Sequence, residues 1–319
     1  MRRTLFFIAL AIVCGAIALL FVAGSRDPRA LSNQTEGEAK IDELTKHYLS
    51  IGQDGDDRDV IRGVGADPDL RSVSLQQCGN LTDAAMTPIG RLDSLRSLNI
   101  GLTRIGDTGI ECLREKTSLT KLTIWDNPLT DRGMVAIGTL TGLESLDLEG
   151  TKITSAGAAH LVRLKKLKYL DLNRTKIDDK ALAAIGQLPL LETLALSDTA
   201  ITAVGLKHLA GLSELTFLEL NSNAISGPGL QALAKLPKLK ILMLERTDVT
   251  DRDMEALGKI AALKELHLAY TKLTDAAIAH FMELKLELLM VNNTKVTRDG
   301  LKAFHKRRPD TRVDLLLSP

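Results

Sequence analysis

The feature that most constrains this chain is a leucine that returns every 24 residues along most of its length. Leu70 comes 25 residues before the regular series, and Leu286 comes 23 residues after it. The regular series is Leu95, Leu119, Leu143, Leu167, Leu191, Leu215, Leu239 and Leu263. The series gives ten repeats and a partial final strand over 313–317. Because one copy cannot bury its own leucines, a period of this length predicts a solenoid whose stacked copies share one core.

Each copy has the pattern of a short strand, a turn and a short helix. In LESLDLEGTKIT, which begins at Leu143, the leucines Leu146 and Leu148 alternate with polar residues, as in a strand with one buried face. Apolar residues at helical spacing follow in each copy. Threonines before these helices are expected to cap them: Thr130, Thr154, Thr202, Thr250 and Thr274. Glycines near the helix starts predict close backbone approach: Gly109, Gly133, Gly157, Gly205 and Gly229.

With this pattern the chain resembles a leucine-rich-repeat protein over about residues 70–317. Its TxITDxG variant is similar to bacterial 24-residue repeats related in form to ribonuclease-inhibitor-like proteins. The resemblance implies an α/β fold: a curved horseshoe solenoid with parallel strands on the concave face, short helices on the convex face, and ligands on the strands. In one departure, Thr replaces the usual Asn after most strands, whereas Asn127 and Asn223 keep it. Because a hydroxyl has fewer hydrogen-bond partners than an amide, we expect the row of hydrogen bonds along this position, which we call the ladder, to be weakened.

The first 25 residues predict a membrane or export signal. Arg2 and Arg3 precede an uncharged run over 5–24, and about 20 apolar residues suffice for a helix to cross a bilayer. We favour an uncleaved signal anchor over 1–25 with its N-terminus in the cytoplasm, where positive residues tend to stay. A signal peptide that is cleaved before secretion is the alternative. In both cases the repeats are expected to be exported to the periplasm or the cell exterior.

Residues 26–69 predict a polar tether and an N-terminal cap, followed over 70–319 by the repeat domain with its C-terminal cap. Ile41, Leu44, Tyr48 and Leu49 have helical spacing, so we expect a helix over 39–52 that covers the first repeat. The acidic run over 54–59 lacks the glycine and the distal glutamate of a calcium loop. We interpret it as a solvated loop.

Aromatic side chains are concentrated at the outward positions of the predicted strands. If positions 4 and 6 of each copy point to the core, then positions 3, 5 and 7 face outward and position 8 lies at the rim. The six aromatic residues of 70–319 include four at these positions: Trp125, Tyr169, Phe217 and Tyr270. Met243 extends the apolar area. Exposed aromatics are costly unless they bind or pack, which favours a binding surface, although aromatics also simply suit strands.

Acidic side chains also occupy the outward positions. Asp147 and Asp171 take the same position in adjacent copies, so their strands should lie about 4.8 Å apart, and like charges across strands destabilise. Either Arg174 relieves this repulsion, or the pair awaits a cation or a partner's Lys or Arg. A plain solvated acidic surface is the other interpretation. The predicted ligand-binding residues are Trp125, Asp147, Tyr169, Asp171, Phe217, Glu219, Met243 and Tyr270.

Motifs for catalysis, cofactors and metals are missing from the sequence. It has no phosphate loop, dinucleotide fingerprint, GxSxG or HExxH. His267 is expected on the concave face beside Glu265 and Tyr270, with no Ser or Cys nucleophile suggested nearby. The formal net charge of +1 gives no bias toward nucleic acid. We therefore predict no enzymatic activity, no cofactor, no metal and no nucleic-acid partner.

Together these features predict a non-enzymatic protein–protein interaction module that is tethered to a membrane. Its acidic and aromatic concave face would bind a protein or peptide that bears basic and apolar groups. Two alternatives stay open. The face could bind envelope polysaccharide, since aromatic rings also stack on sugars, or the chain could be a structural envelope spacer whose surface variation is neutral.

Overall fold

A computed structural model of the chain describes residues 47–315, which form one open sheet of twelve parallel strands. Every strand pairs with the strand that follows it in the chain. The strands are β1 (Tyr48–Ser50), β2 (Ser72–Ser74), β3 (Ser97–Asn99), β4 (Lys121–Thr123), β5 (Ser145–Asp147), β6 (Tyr169–Asp171), β7 (Thr193–Ala195), β8 (Phe217–Glu219), β9 (Ile241–Met243), β10 (Glu265–His267), β11 (Leu288–Met290) and β12 (Arg312–Asp314). Because neighbouring parallel strands need a crossover connection, each copy returns over the same side of the sheet.

Short helices lie in these connections. The α-helices are Asp57–Ala66, Met86–Ile89, Asp107–Glu111, Asp131–Ile137, Ser155–Ala158, Asp179–Ile185, Met254–Leu257 and Leu301–Arg307. The 3₁₀-helices are Asp83–Ala85, Ala159–Arg163, Gly205–Leu209, Pro228–Lys235, Asp251–Asp253 and Asp275–Phe281. The predicted solenoid of parallel strands and short helices is confirmed, with 3₁₀ turns replacing α-helix in several copies.

The core lies between the strands and the helices and is almost entirely aliphatic. Leu143, Leu146 and Leu148, at positions 1, 4 and 6 of one copy, are fully buried. The same holds for Phe281 and Phe304, which occupy a leucine position of the helix. Because burial of such a side chain contributes roughly 1.5–3 kcal/mol, the repeated leucines are the main source of stability.

The predicted threonine caps are confirmed at Thr130, Thr154 and Thr274. The Thr250 hydroxyl instead donates to Asp253, and the helix after Thr202 begins only at Gly205. An aspartate links several of these threonines to the preceding copy. The Thr154 hydroxyl accepts a hydrogen bond from Ala156 N–H (3.2 Å), as expected for a cap. The Thr154 N–H and hydroxyl also donate to the Asp131 carboxylate of the preceding copy, both at 2.7 Å. The same arrangement recurs at the pairs Asp107–Thr130, Asp179–Thr202, Asp251–Thr274 and Asp275–Thr297.

The residue after each strand shows the expected weakened ladder. The Thr151 hydroxyl donates to Leu148 O (2.7 Å), which belongs to the same copy. By contrast, the Asn127 amide donates to Ile105 O (3.1 Å) and accepts from Thr103 N–H (2.9 Å), both in the preceding copy. Threonine therefore closes its own turn, whereas asparagine also joins two copies.

Close packing of the copies explains the glycine that recurs near the helix starts. A Cβ atom on Gly157 would collide with the Asp131 carboxylate of the preceding copy. At Gly229 the collision would be with the Ala203 carbonyl. The predicted close approach is confirmed at both positions.

The turn after each of the strands β2 to β11 contains one residue in the left-handed region. Its φ lies between 53° and 68° in ten copies, always at position 8: Gln77, Leu102, Asp126, Gly150, Arg174, Asp198, Ser222, Arg246, Tyr270 and Asn293. A residue with a side chain is less stable in this conformation by roughly 1–2 kcal/mol. The turn therefore places a strained but regularly spaced row of side chains along one rim.

The N-terminal part of the described chain differs from the sequence prediction. Tyr48–Ser50 is a strand, so the helix predicted over 39–52 is wrong there, whereas residues 39–46 lie outside the described residues. The reason is that Leu49 pairs with Val73, which extends the sheet by one strand. The run over 54–59 is not wholly a loop, because Asp56 caps the helix that begins at Asp57.

The described residues contain no helix that is long and apolar enough to cross a membrane. The segment predicted to do so, over 5–24, lies outside the described residues.

Candidate binding site on the strand face

The outward side chains at positions 3, 5 and 7, with position 8 at the rim, form what we call the strand face. Strand register places equal positions side by side, so Asp147 lies opposite Asp171 and Glu219 lies opposite Met243. All eight residues predicted to bind a ligand lie on this face or at its rim. The structure separates them into an acidic group, an apolar group and two other aromatics.

The acidic group consists of Asp147, Asp171, Glu219 and Tyr169 on β5, β6 and β8. Asp171 is only 1% exposed. It accepts a hydrogen bond from Asn173 N–H (2.9 Å), and the Tyr169 hydroxyl donates to its other oxygen at 3.4 Å. These contacts hold the Asp171 carboxylate within its own copy and bring no positive charge to it.

Arg174 does not relieve this pair. Its Nε donates to Glu149 (2.9 Å) and one terminal nitrogen donates to Asp126 (2.8 Å), both at the rim. Among the described residues, neither Asp147 nor Asp171 forms an ion pair. Internal relief by Arg174 therefore does not fit the geometry, and a solvated surface does not describe the buried Asp171. The charge of Lys121 lowers the pKa of Asp147 and relieves the pair in part, but the pair keeps room for a partner's cation.

Burial raises the pKa values of the three carboxylates in the acidic group. Burial, reinforced by the charge of Glu149, raises the pKa of Asp147 to about 6, although Glu149 N–H donates to its carboxylate and opposes the shift. Burial and the charge of Asp147 raise the pKa of Asp171 well above its ordinary value. Burial also raises the pKa of Glu219, against hydrogen bonds that include one from the Ser197 hydroxyl (2.9 Å). A nearby cation would lower all three pKa values, so binding of a cation would release protons.

The apolar group continues the strand face on β8, β9 and β11. Phe217 lies opposite Ile241 in register, and both are half-buried. Met243, Leu288 and Met290 are half-buried as well. Phe217, Ile241 and Met243 form an apolar area next to Glu219, which suits a partner with apolar as well as basic groups. Glu265 and His267 on β10 separate this area from Leu288 and Met290.

Trp125 and Tyr270, the two other aromatics, have packing contacts within the chain. The indole of Trp125 packs on Gly101, where an added Cβ would collide with the ring. Tyr270 is 49% exposed at the rim, and the Arg246 guanidinium lies 4.2 Å from its ring centre. Packing thus accounts for part of the outward aromatic signal at these two positions.

His267 lies beside Glu265 on the strand face, as predicted, but neither its burial nor its second carboxylate neighbour, Glu245, was predicted from the sequence. His267 is 9% exposed, and both ring nitrogens lack a hydrogen-bond partner among the described residues. Nδ1 lies 3.5 Å from Glu245 and Nε2 lies 3.6 Å from Glu265. The sequence contains one signal of this burial. Met243 and Met290 occupy the position of His267 in the two flanking copies, where they can cover its ring.

Metal binding has no support in the part of the chain that the structure describes. No group of three or more His, Cys, Asp or Glu residues there could hold a metal ion. The arrangement can instead offer carboxylates to a positively charged donor and an adjoining apolar area to an aliphatic or aromatic side chain.

Solved structures of other proteins share the fold. An internalin from Listeria monocytogenes superposes with a TM-score of 0.66 and 24% sequence identity, covering 81% of this chain and 71% of that chain. A TDR receptor superposes with a TM-score of 0.54 and 18% identity, covering 80% of this chain and 50% of that chain. This chain thus spans about half the length of the receptor chain. At these identities the likeness shows the fold alone.

Family models identify the repeat directly. A model described as a leucine-rich repeat region matches residues 124–298, and another, described as a leucine rich repeat, matches residues 93–113. A search of curated proteins gave no match. Because the first model alone matches more than half of the chain, the chain belongs to the leucine-rich-repeat proteins.

Proposed function

We propose that this chain is a non-enzymatic interaction module whose strand face binds an extended segment of a partner protein with basic and apolar side chains. The observation that carries the proposal is the pair Asp147 and Asp171, which are adjacent in register and form no ion pair within residues 47–315. Burial of unpaired charge opposes folding, and a Lys or Arg from a partner would compensate it. The partner's cation would therefore bind beside Asp147 and Asp171 and supply the ion pair that these carboxylates lack within the described residues.

The apolar group supports the same partner chemistry. Phe217 and Met243 lie two and three strands beyond Asp171 in the sheet, a distance of about 10–15 Å at the usual strand spacing. An extended segment that crosses the strands can therefore place a basic side chain on the acidic group and an apolar side chain on the apolar group. The family assignment is consistent with this role, because solenoid proteins use extended surfaces for binding.

The module is proposed to be tethered to a membrane by the segment 5–24, with the repeats exported. This part rests on the uncharged run of that segment and on the two arginines before it. Resistance of the full chain to alkaline extraction from membranes, with protease access to the repeats from the exported side, would support it. Release of a shortened chain into the soluble exported fraction would indicate a cleaved signal peptide instead.

The binding proposal is tested by capture with the full chain in a nonionic detergent. Proteins captured by the wild type are identified by mass spectrometry and then measured against two double variants, Asp147→Asn with Asp171→Asn and Trp125→Ala with Phe217→Ala. We expect each variant to reduce capture of the same partner about tenfold or more, because each removes contacts of the strand face.

A matched control replaces two exposed carboxylates of the helices, Glu111→Gln with Glu255→Gln, which changes the net charge equally. This control should capture the partner as the wild type does, and circular dichroism should show all variants folded. Equal capture by both strand-face variants would overturn the proposal. Retention of cell-wall polymer in place of protein would favour the polysaccharide alternative.

A further inference from the structure

We propose that Glu245, His267 and Glu265 form a second cation-binding site on the strand face, which takes an ammonium or guanidinium group of the bound segment. The inference rests on the proposed function and adds a requirement on the partner, namely a second basic side chain at a defined distance from the first.

Hydrogen-bond geometry around the imidazole carries the inference. A neutral imidazole has one N–H donor and one nitrogen acceptor, whereas a carboxylate only accepts. Nδ1 faces Glu245 at 3.5 Å and Nε2 faces Glu265 at 3.6 Å, too far for hydrogen bonds. Even if the N–H closes on one glutamate, the other ring nitrogen still faces a second acceptor. A positively charged N–H donor from a partner, in contact with both this ring nitrogen and the second glutamate, would give each of these acceptors a hydrogen bond.

Cations already in the neighbourhood are engaged elsewhere. The Arg246 guanidinium lies over the Tyr270 ring, and Lys264 pairs with Glu287 (3.0 Å). On the flanking strands, the residues in register with His267 are Met243 and Met290, which offer no hydrogen-bond donor of comparable strength. The two glutamates are partly exposed, so their side chains can turn outward to admit a ligand.

The positions of the two sites define the spacing of the partner's basic residues. Asp171 is on β6 and His267 is on β10, four strands farther along the sheet. At about 4.8 Å per strand, this separation is about 19 Å, which an extended peptide spans in about six residues. An even spacing keeps both side chains on the same side of the peptide. Apolar side chains between them would lie over Phe217 and Met243.

The test uses short peptides as probes on the full chain in nonionic detergent. The parent is acetyl-Lys-Ser-Leu-Ser-Leu-Ser-Lys-amide, carrying a fluorophore on one serine, and its affinity is measured by fluorescence anisotropy. A second peptide replaces the C-terminal lysine by norleucine, and a third brings the lysines to a spacing of four residues. In whichever direction the peptide lies, we expect the parent to bind about tenfold more tightly than either.

Variants of the chain test whether the preference for the parent peptide arises at the second site. Glu245→Gln with Glu265→Gln should reduce the ratio between parent and norleucine peptide to about one, and His267→Phe should do the same. Asp147→Asn with Asp171→Asn should weaken the parent strongly while the glutamate pair is intact. If the acidic variant weakens binding but the wild type does not distinguish the peptides, the second site is wrong and the proposed function stands. If none of the three peptides binds, the second site is also wrong. The proposed function is then tested only by the capture experiment.

Discussion

The strand face has two halves built on the same backbone, and they differ in how their polar atoms are satisfied. On β5 to β8 the Asp171 carboxylate accepts hydrogen bonds from its own copy, and its difficulty is excess charge. On β9 to β11 the His267 ring has charged neighbours but no hydrogen-bond partner among the described residues. Within the part of the chain that the structure describes, the Asp147 and Asp171 carboxylates thus have no ion-pair partner, and the His267 ring has no hydrogen-bond partner. Because one repeat pattern produces both halves, the difference comes from the outward side chains.

The largest expected effect is a fall in stability of the acidic half as pH rises. The folded state raises the pKa of Asp147 from 3.8 to about 6, so it binds this proton more tightly than the unfolded chain. The contribution of Asp147 to the free energy of unfolding should therefore decrease by about 2–3 kcal/mol between pH 4 and pH 7. Burial raises the pKa of Asp171 and Glu219 too, which acts in the same direction. Exposed carboxylates with lowered pKa values, such as Glu111 and Glu255, act in the opposite direction. Urea unfolding followed by the fluorescence of Trp125, the single tryptophan, measures this dependence.

Asp147→Asn should flatten that pH profile and make the protein more stable than the wild type at pH 7.5. The matched change Glu255→Gln removes an exposed helix carboxylate whose pKa is lowered by its hydrogen bond with Lys259. It should therefore not flatten the fall, and at most it should steepen the profile slightly near pH 4. A wild-type profile that rises from pH 4 to pH 7 would show that the carboxylate pair is compensated in solution.

A smaller effect is expected from the unpartnered ring in the other half. His267→Leu removes two buried polar atoms without hydrogen bonds and should raise the free energy of unfolding by about 1 kcal/mol at pH 7.5. His208→Leu, at an exposed histidine of the helix Gly205–Leu209, serves as the control and should change it by less than about 0.5 kcal/mol. Destabilisation by His267→Leu would mean that water or the glutamates satisfy the ring.

The smallest effects are expected from the arginines at the rim. Arg174→Gln breaks exposed ion pairs with Asp126 and Glu149, so it should cost less than about 1 kcal/mol in dilute buffer and almost nothing in 1 M salt. Arg246→Gln removes the cation–π contact with Tyr270 and should cost about 0.5 kcal/mol in both buffers, since the attraction acts at contact distance, where salt ions do not enter. Thermal unfolding at two salt concentrations compares them, and an equal salt response would show that both arginines act through charge.

The fold was predictable because its determinants are local and repeated. Leucine spacing specified the strands, the helices and their order, and the threonine and glycine positions specified caps and close contacts. The exception is β1, where Tyr48 and Leu49 have helical spacing but form a strand. Backbone pairing with β2 provides hydrogen bonds that the spacing of apolar residues does not reveal.

The candidate site was predictable in position but not in detail. Register followed from the repeat, so the adjacency of Asp147 and Asp171 could be foreseen. The pairing of Arg174 with the rim carboxylates could not, because it depends on the reach of one long side chain. The lack of hydrogen bonds at His267 could not be predicted either. It depends on the distances of the ring nitrogens from Glu245 and Glu265, which the pattern of a single copy does not contain.

The left-handed turn at position 8 also bears on how such a protein can acquire new partners. Its conformation recurs with residues as different as Leu102, Asp198 and Arg246, so the turn does not select one side-chain type. Exchange of one such residue for another should leave the backbone cost nearly constant. Mutations there can therefore change specificity in single steps without a compensating change elsewhere, which makes this row the natural place to diversify or redesign recognition.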